Sequence, residues 1–414
     1  AEAQAREAQI ELALERVRAR TMAMHKSEEL SETAHVLFQQ FKEIDKEPKM
    51  LTIGIMKENE GLIEFWVTDW SGGGSKVDRK FNASIDEPIL LNKIYTAWME
   101  RQKSIVIELS NEELLGWVKY RISLSGVPDK TEYSNSRGFV AAAFFSRGLL
   151  SISTYEPFSP ETLLLLERFA GVFNLTYTRF LDLQKAEAQA REAQIEASLE
   201  RVRAVAMGMN KSDDLLSICE ISFKEFKKLG FDNIRNALIH IQYDNQKYFM
   251  DYDFSDLTGG AITKIEYGSH PVVEDYLKQI RSAKDAFYQG VIKEDQLEEW
   301  KDFRRNSGQI DDPRLDKATA LYYYFFSIGI GDIGISTLKS INESQIKILK
   351  RFRNVFELAY RRFIDIEKAE AQAREAQIEA ALEKIRSSSL AMHKSDELWG
   401  VVAVVFEKLQ ELKF

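Results

Sequence analysis

Residues 1–30 read AEAQAREAQIELALERVRARTMAMHKSEEL, and nearly the same stretch returns twice. Residues 186–215 read AEAQAREAQIEASLERVRAVAMGMNKSDDL and residues 369–398 read AEAQAREAQIEAALEKIRSSSLAMHKSDEL, each matching the first at 22 of 30 positions. The copies start 185 and 183 residues apart, far beyond the roughly 20–50 residues of a solenoid repeat. Whole domains joined by near-identical connectors have this spacing. The third copy comes close to Phe414, so the chain reads as part of a longer array.

The connectors are built for helix. Ala, Glu, Gln, Arg and Leu dominate them, the residues of strongest helix propensity. Glu2–Arg6, Glu187–Arg191 and Glu370–Arg374 stand four apart with the acid first, the favourable order for a helical ion pair. All seven prolines avoid these stretches. Nothing therefore interrupts a helix from Glu161 to about Asn210, a rod of roughly 75 Å. Ser159 is placed to cap it and Pro160 suits the first helical position; Asn342 with Glu343 plays that part before the second rod. Apolar residues recur at 4-then-3 spacing at Ile10, Leu14 and Val17, at Ile195, Leu199 and Val202, and at Ile378, Leu382 and Ile385. A parallel coiled-coil homodimer buries such a seam. The alternative is that each helix packs on its own domain.

Between the connectors lie two segments of one plan. Leu51, Ile53 and Ile55 alternate, a turn at Glu58 to Gly61 follows, and Ile63, Phe65 and Val67 alternate again. Ile239, Ile241 and Tyr243, a turn at Asp244 to Gln246, then Tyr248, Met250 and Tyr252 repeat it. Each reads as a β-hairpin. A helix is expected near Pro88 and near Pro271, then an apolar strand (Phe139 to Phe145; Ala320 to Phe326), a glycine turn, another strand and the long helix. The expected fold class is α+β, with antiparallel sheets flanked by helices.

Composition narrows the function. Of 414 residues, 44% are apolar and 29% charged, enough for real cores and against disorder as the main description. A net charge of −9 offers no basic surface to nucleic acid or to anionic lipid. The lone cysteine, Cys219, excludes an intrachain disulfide, a Cys-rich zinc site and a CxxC redox pair. A reducing, cytoplasmic compartment is the expectation. The longest apolar runs, Gly138 to Phe145 and Trp399 to Phe406, are far shorter than the roughly 20 residues that span a bilayer.

The element order, the domain size and the flanking helices together resemble the GAF family of small-molecule sensory domains, over roughly 30–180 and 215–365. The resemblance implies two GAF-like domains joined by long coiled-coil connector helices, as in bacterial histidine kinases and cyclases. The expected division is connector 1–27, domain 28–184, connector 185–212, domain 213–367, connector 368–394 and the start of a third domain at 395–414. It implies a non-catalytic input module that binds a small molecule or relays signals through a parallel homodimer to an effector outside this chain. The rival reading is a dimerisation scaffold without a ligand. Bilin-binding members carry a cysteine beside the pocket, whereas Cys219 falls on an N-terminal helix and reads as a buried thiol. Members that reduce free methionine sulfoxide use several cysteines, and the Asn-Lys-Phe…Asp-Glu signature of cyclic-nucleotide binders is in neither half. No metal, bilin or haem is expected, and the ligand is unknown.

The candidate pocket residues are aromatic: Trp66, Trp70 and Trp117 in the first half, Tyr252, Trp300 and Tyr323 in the second. They suit either stacking on a planar ligand or core packing. His270, before Pro271, is a ligand candidate or a helix-start residue; Glu87 stands before Pro88 in the first half. His240 shares a strand face with Gln242 and has no second histidine at a metal-ligand spacing. Gly329 to Gly334 fits GxGxxG, but Ile333, Ile335 and Thr337 continue as a strand, so a strand–strand turn is expected instead of a phosphate loop. Ser71 to Lys76 reads as an inter-strand loop. His25 and His393 read as helix-end residues, with Asn210 between them in the series, and the serine two positions on (27, 212, 395) as a cap. No catalytic residue is expected.

Overall fold

The computed structural model describes residues 2–45, 50–68, 77–125, 137–329, 331–392 and 398–412. Trp70, the loop from Ser71 to Lys76, His393 and Ser395 lie outside them. The chain divides into two compact units, Ala1–Ala190 and Arg191–Phe414.

The first unit runs α1 (Glu2–Met22), α2 (Leu30–Ile44), β1 (Met50–Lys57), β2 (Leu62–Thr68), β3 (Val77–Ser84), α3 (Leu91–Met99), β4 (Ser104–Leu109), α4 (Asn111–Ser125), β5 (Gly138–Phe145) and β6 (Gly148–Thr154). Helix α5 (Pro160–Met207) follows and ends within the second unit. That unit continues with α6 (Leu215–Lys228), β7 (Ile234–Tyr243), β8 (Tyr248–Ser255), β9 (Gly259–Glu266), α7 (Pro271–Ile280), β10 (Phe287–Lys293), α8 (Glu294–Asn306), β11 (Ala320–Ser327), β12 (Gly331–Thr337), α9 (Glu343–Leu390) and α10 (Leu398–Glu411). Each unit holds one six-stranded sheet, in the orders β3-β2-β1-β6-β5-β4 and β10-β11-β12-β7-β8-β9. All their pairings are antiparallel. The fold is α+β with two antiparallel sheets flanked by helices, which fits the expectation of two GAF-like domains.

Local chemistry sets the joints. The hairpin β1–β2 turns through Gly61 at φ 66°, and β7–β8 through Lys247 at φ 60°. A left-handed residue is needed there, and only the first unit uses the residue type that adopts it without strain. Ser159 Oγ accepts from Thr162 N at 3.1 Å, and Asn342 with Gln345 forms a reciprocal capping box. The expected cap at Ser27 is a correction, while Ser395 and the Ser212 side chain lie outside what the structure describes. Glu29 accepts from the backbone of His25 and Lys26, and Asp214 from that of Asn210 and Lys211. The longer acidic side chains reach the free amides; Ser27 instead bonds Glu187. His25 is exposed.

Period-2 alternation gives each sheet two buried faces. On one face of the first sheet, α1, α2 and the start of α5 enclose Leu51, Ile53, Trp66 and Phe145. On the other, α3 and α4 cover Ile63, Phe65, Val140 and Leu149. The second sheet repeats this, with α5, α6 and α9 over Ile239, Tyr252, Tyr324 and Ile333, and α7 and α8 over the opposite face.

The seam residues are spent on these cores. Leu14 and Val17 are buried in the first unit, and Ile195, Leu199 and Val202 in the second, while Ile10 is half-buried. Within one chain, the alternative of each connector packing on its own domain therefore describes copies one and two. In copy three Ile378 and Ile385 are half-buried and Leu382 is exposed. Between its two cores, α5 is exposed at every residue from Gln184 to Gln194.

One repeat position thus meets two environments: Leu199 is 4% exposed and Leu382 46%. Leu199→Ala is expected to cost about 2–5 kcal/mol, as for large-to-small core substitutions. Leu382→Ala is expected to stay within about 0.5 kcal/mol in protein dilute enough to be monomeric. Urea unfolding of both variants checks this; equal small losses would show that the second connector does not pack on its own unit.

Candidate functional site

In the second unit the sheet face under α7 and α8 is polar at its centre. Alternation brings His240 and Gln242 of β7, Asp251 of β8, Asp332 of β12 and Tyr323 and Phe325 of β11 to this side. A cavity of about 50 Å³ opens there, bounded by Arg235, His240, Asp251, Tyr276, Trp300, Arg304, Gln309 and Tyr323 among others. Arg235 reaches it through a break in the β7–β12 ladder, where Ser336 opposes Asn236 and Thr337 opposes Ile234. The unpaired residue of such a bulge re-aims its side chain, and here it donates from Nε to Ser336 Oγ at 2.8 Å.

His240 sits between two carboxylates. Its Nδ1 lies 2.6 Å from Tyr276 Oη and 3.0 Å from Asp332 Oδ1, and its Nε2 is 3.4 Å from Asp251 Oδ1. The Tyr276 hydroxyl donates to Asp332 Oδ2, which also accepts from Gln242 Nε2 at 3.3 Å. Gln309 holds the other carboxylate, donating to Asp251 Oδ2 at 2.5 Å while accepting from Arg304 Nε at 2.6 Å. Burial alone would lower the imidazolium pKa. The negative charges of Asp332 and Asp251, 3.0 and 3.4 Å away, outweigh it and push His240 up to about 10. Burial likewise raises Asp253 to about 6, against the pull of Arg235. The same face of the first unit carries no such network. Gly54, Phe65 and Leu149 hold the register positions of His240, Asp251 and Asp332. A Cβ on Gly54 would meet Leu149 Cδ2 at 3.0 Å, so leucine fills the histidine's space and the face closes as an apolar core.

The sequence candidates divide accordingly. Trp300 and Tyr323 bound the cavity and bond each other, Trp300 Nε1 to Tyr323 Oη at 3.0 Å. His270 is the cap of α7, its Nδ1 accepting from Val272 N, with its ring against Trp300 and Phe303. It stands behind the cavity wall. Glu87 does the matching job for α3, accepting from Ile89, Leu90 and Leu91. Tyr252 is a correction: it shares its register position with Trp66, and both point into the opposite, helix-covered core. Trp117 packs in the closed core of the first unit. Cys219 is buried beneath Tyr252, its thiol pKa pushed up by burial, and Gly331–Thr337 is a strand as expected. Sequence reasoning missed Arg235, Asp251, Arg304 and Asp332. Asp251 and Asp332 alternate with apolar residues on β8 and β12, a signal that a strand-by-strand count of polar residues on the His240 face would have caught. Among the described residues no group of His, Cys, Asp and Glu is arranged to hold a metal ion, and no helix is long and apolar enough to cross a membrane.

Neither a family model nor a curated protein matches the chain. Among solved structures it is similar to the bacteriophytochrome RpBphP3 from the photosynthetic bacterium R. palustris, with 12% identity over 88% of this chain and 75% of that one. The TM-score is 0.32, and a likeness at that level supports nothing about what the chain does.

The raised His240 has a sign. A basic group held at about 10 instead of 6.5 adds stability that is complete below pH 6.5 and is lost as pH rises through 10. Stability of the second unit is therefore expected to fall across that window. His240→Leu should be less stable at pH 6.5, because it strands two buried carboxylates. It should also lose the wild-type slope. Hydrogen exchange of β7 and β12 against pH measures both, and parallel slopes would show that His240 is neutral.

Proposed function

We propose that the chain is a sensory input module in which the second unit holds a small solute between its sheet and helices α7 and α8. One observation carries the reading: the same sheet face holds charged groups and a cavity in one unit and, among the described residues, an apolar core in the other. Buried charge is costly to maintain, and unit one shows that this fold closes the face without it. Concave sites with aromatic walls and a few convergent polar groups are what solutes bind. A single water needs about 10–15 Å³ of such space, so 50 Å³ takes about four waters or a solute of that bulk. That is too small for a nucleotide or a tetrapyrrole. The first unit, with its apolar face, is read as a structural partner; there the scaffold reading finds its support.

Relay follows from the connectors. Solute binding biases how α7 and α8 lie on the sheet, and the sheet's other face carries α5, α6 and α9. A differential affinity for two packings of these layers is all that a population shift requires. The reading includes a parallel pairing of two chains. With Leu199 and Val202 committed to their own unit, that pairing uses copy three, centred on Leu382. Light scattering at micromolar concentration checks it: a dimer is expected, turned monomeric by Leu382→Asp, and a monomeric wild type would remove the pairing.

Native mass spectrometry of protein purified from cells tests the site. A retained small solute is expected on the wild type and not on Arg304→Leu. A solute-free protein that no small-metabolite panel stabilises would leave the scaffold as the better description.

A further inference from the structure

The charges around the cavity are arranged in two ends. Arg235 is 2% exposed and Arg304 5%. Among the described residues each donates a single hydrogen bond, Arg235 to Ser336 and Arg304 to Gln309. Arg235 has one ion pair, at 3.6 Å from Asp312. That carboxylate is more tightly held by Arg314 at 2.8 Å. Arg304 has no ion pair within 4 Å among the described residues. A guanidinium carries five donors, and two of them buried side by side with so few bonds leave an anion's place vacant. The other end is acidic. Asp251, 2% exposed, gives Oδ2 to Gln309, and its Oδ1 has no hydrogen-bond partner although His240 Nε2 lies 3.4 Å away. A buried carboxylate oxygen in that state wants a donor.

Among the described residues, Arg235, Arg304 and His240 line the cavity together with one carboxylate, that of Asp251. A solute carrying both signs answers the sparsely bonded guanidiniums and Asp251 Oδ1 together, whereas a simple anion or cation answers one of them. The size limit admits few atoms between those signs. Resting on the sensory reading of this cavity, we infer that its ligand is a small zwitterion of the α-amino acid class. The carboxylate lies toward Arg235 and Arg304, and the ammonium lies toward Asp251 Oδ1. The aromatic rings of Trp300 and Tyr323 supply the walls, and a cation beside such faces gains further.

Calorimetric titration of the whole wild-type chain tests this with four probes: glycine or L-alanine, acetate or propionate, methylammonium or ethylammonium, and 1-propanol. The amino acids are expected to bind at least tenfold tighter than either half-molecule and the alcohol. Asp251→Asn should weaken the amino acid at least tenfold while leaving propionate unchanged, and Arg304→Gln should weaken both. Because either variant could unfold the unit, the wild-type ranking is decisive alone. Propionate equal to alanine would overturn the zwitterion and keep the cavity as an anion site. The alcohol binding as well as alanine would overturn it in favour of a neutral ligand. Heat-free titrations with every probe, from protein that carries no solute by mass spectrometry, would overturn the sensory reading itself.

Discussion

Each sheet in this chain has two faces and no solvent to put either one against. An antiparallel sheet with a single wet face can be closed by one layer of helices, whereas these need two. The connector repeats answer half of that need. As each enters a new unit, it lays Leu14 and Val17, or Leu199 and Val202, on the near face. Helices α2 and α6 then extend the same layer. The far face is left to two short helices, and there the two units part company. One packs aliphatic side chains to a closed core, while the other tolerates a histidine between two aspartates.

The connectors and the hairpins were legible in the sequence because their signals are periodic and local. Repeated helix formers without proline gave the rods, and alternation around Gly61 and around Asp244 to Gln246 gave β1–β2 and β7–β8. The site was much less so. His240 could be placed on a face with Gln242, but its partners come from β8 and β12, and strand register is long-range information that one sequence does not state. Tyr252 shows the same limit from the other side. Its aromatic ring satisfied every local criterion for a pocket wall, and the one-residue offset from Asp251 turned it to the wrong face. Arg235 was hidden for a different reason: only a bulge brings it out of the alternation.

In copies one and two the apolar seam is a buried stripe, and the question is what buries it. A 4-then-3 pattern is common to a coiled coil and to a helix lying on a domain. In α5 the stripe serves the first unit through Phe173 and Thr176, and the second from Ile195 onward. Between them the run from Gln184 to Gln194 is exposed and belongs to neither core.

The exchange of His240, Asp251 and Asp332 for Gly54, Phe65 and Leu149 carries a consequence for how such a site can change over time. Any one of the three polar residues replaced alone leaves a buried charge without its counterpart, and any one introduced alone into the closed core does the same. The fold therefore offers two acceptable triplets with a barrier between them, and the fitness effect of each residue depends on the other two. Drift across that barrier is expected in concerted steps, so the three columns should vary as a block. A lineage in which the polar face is no longer needed has no gradual path to the apolar core.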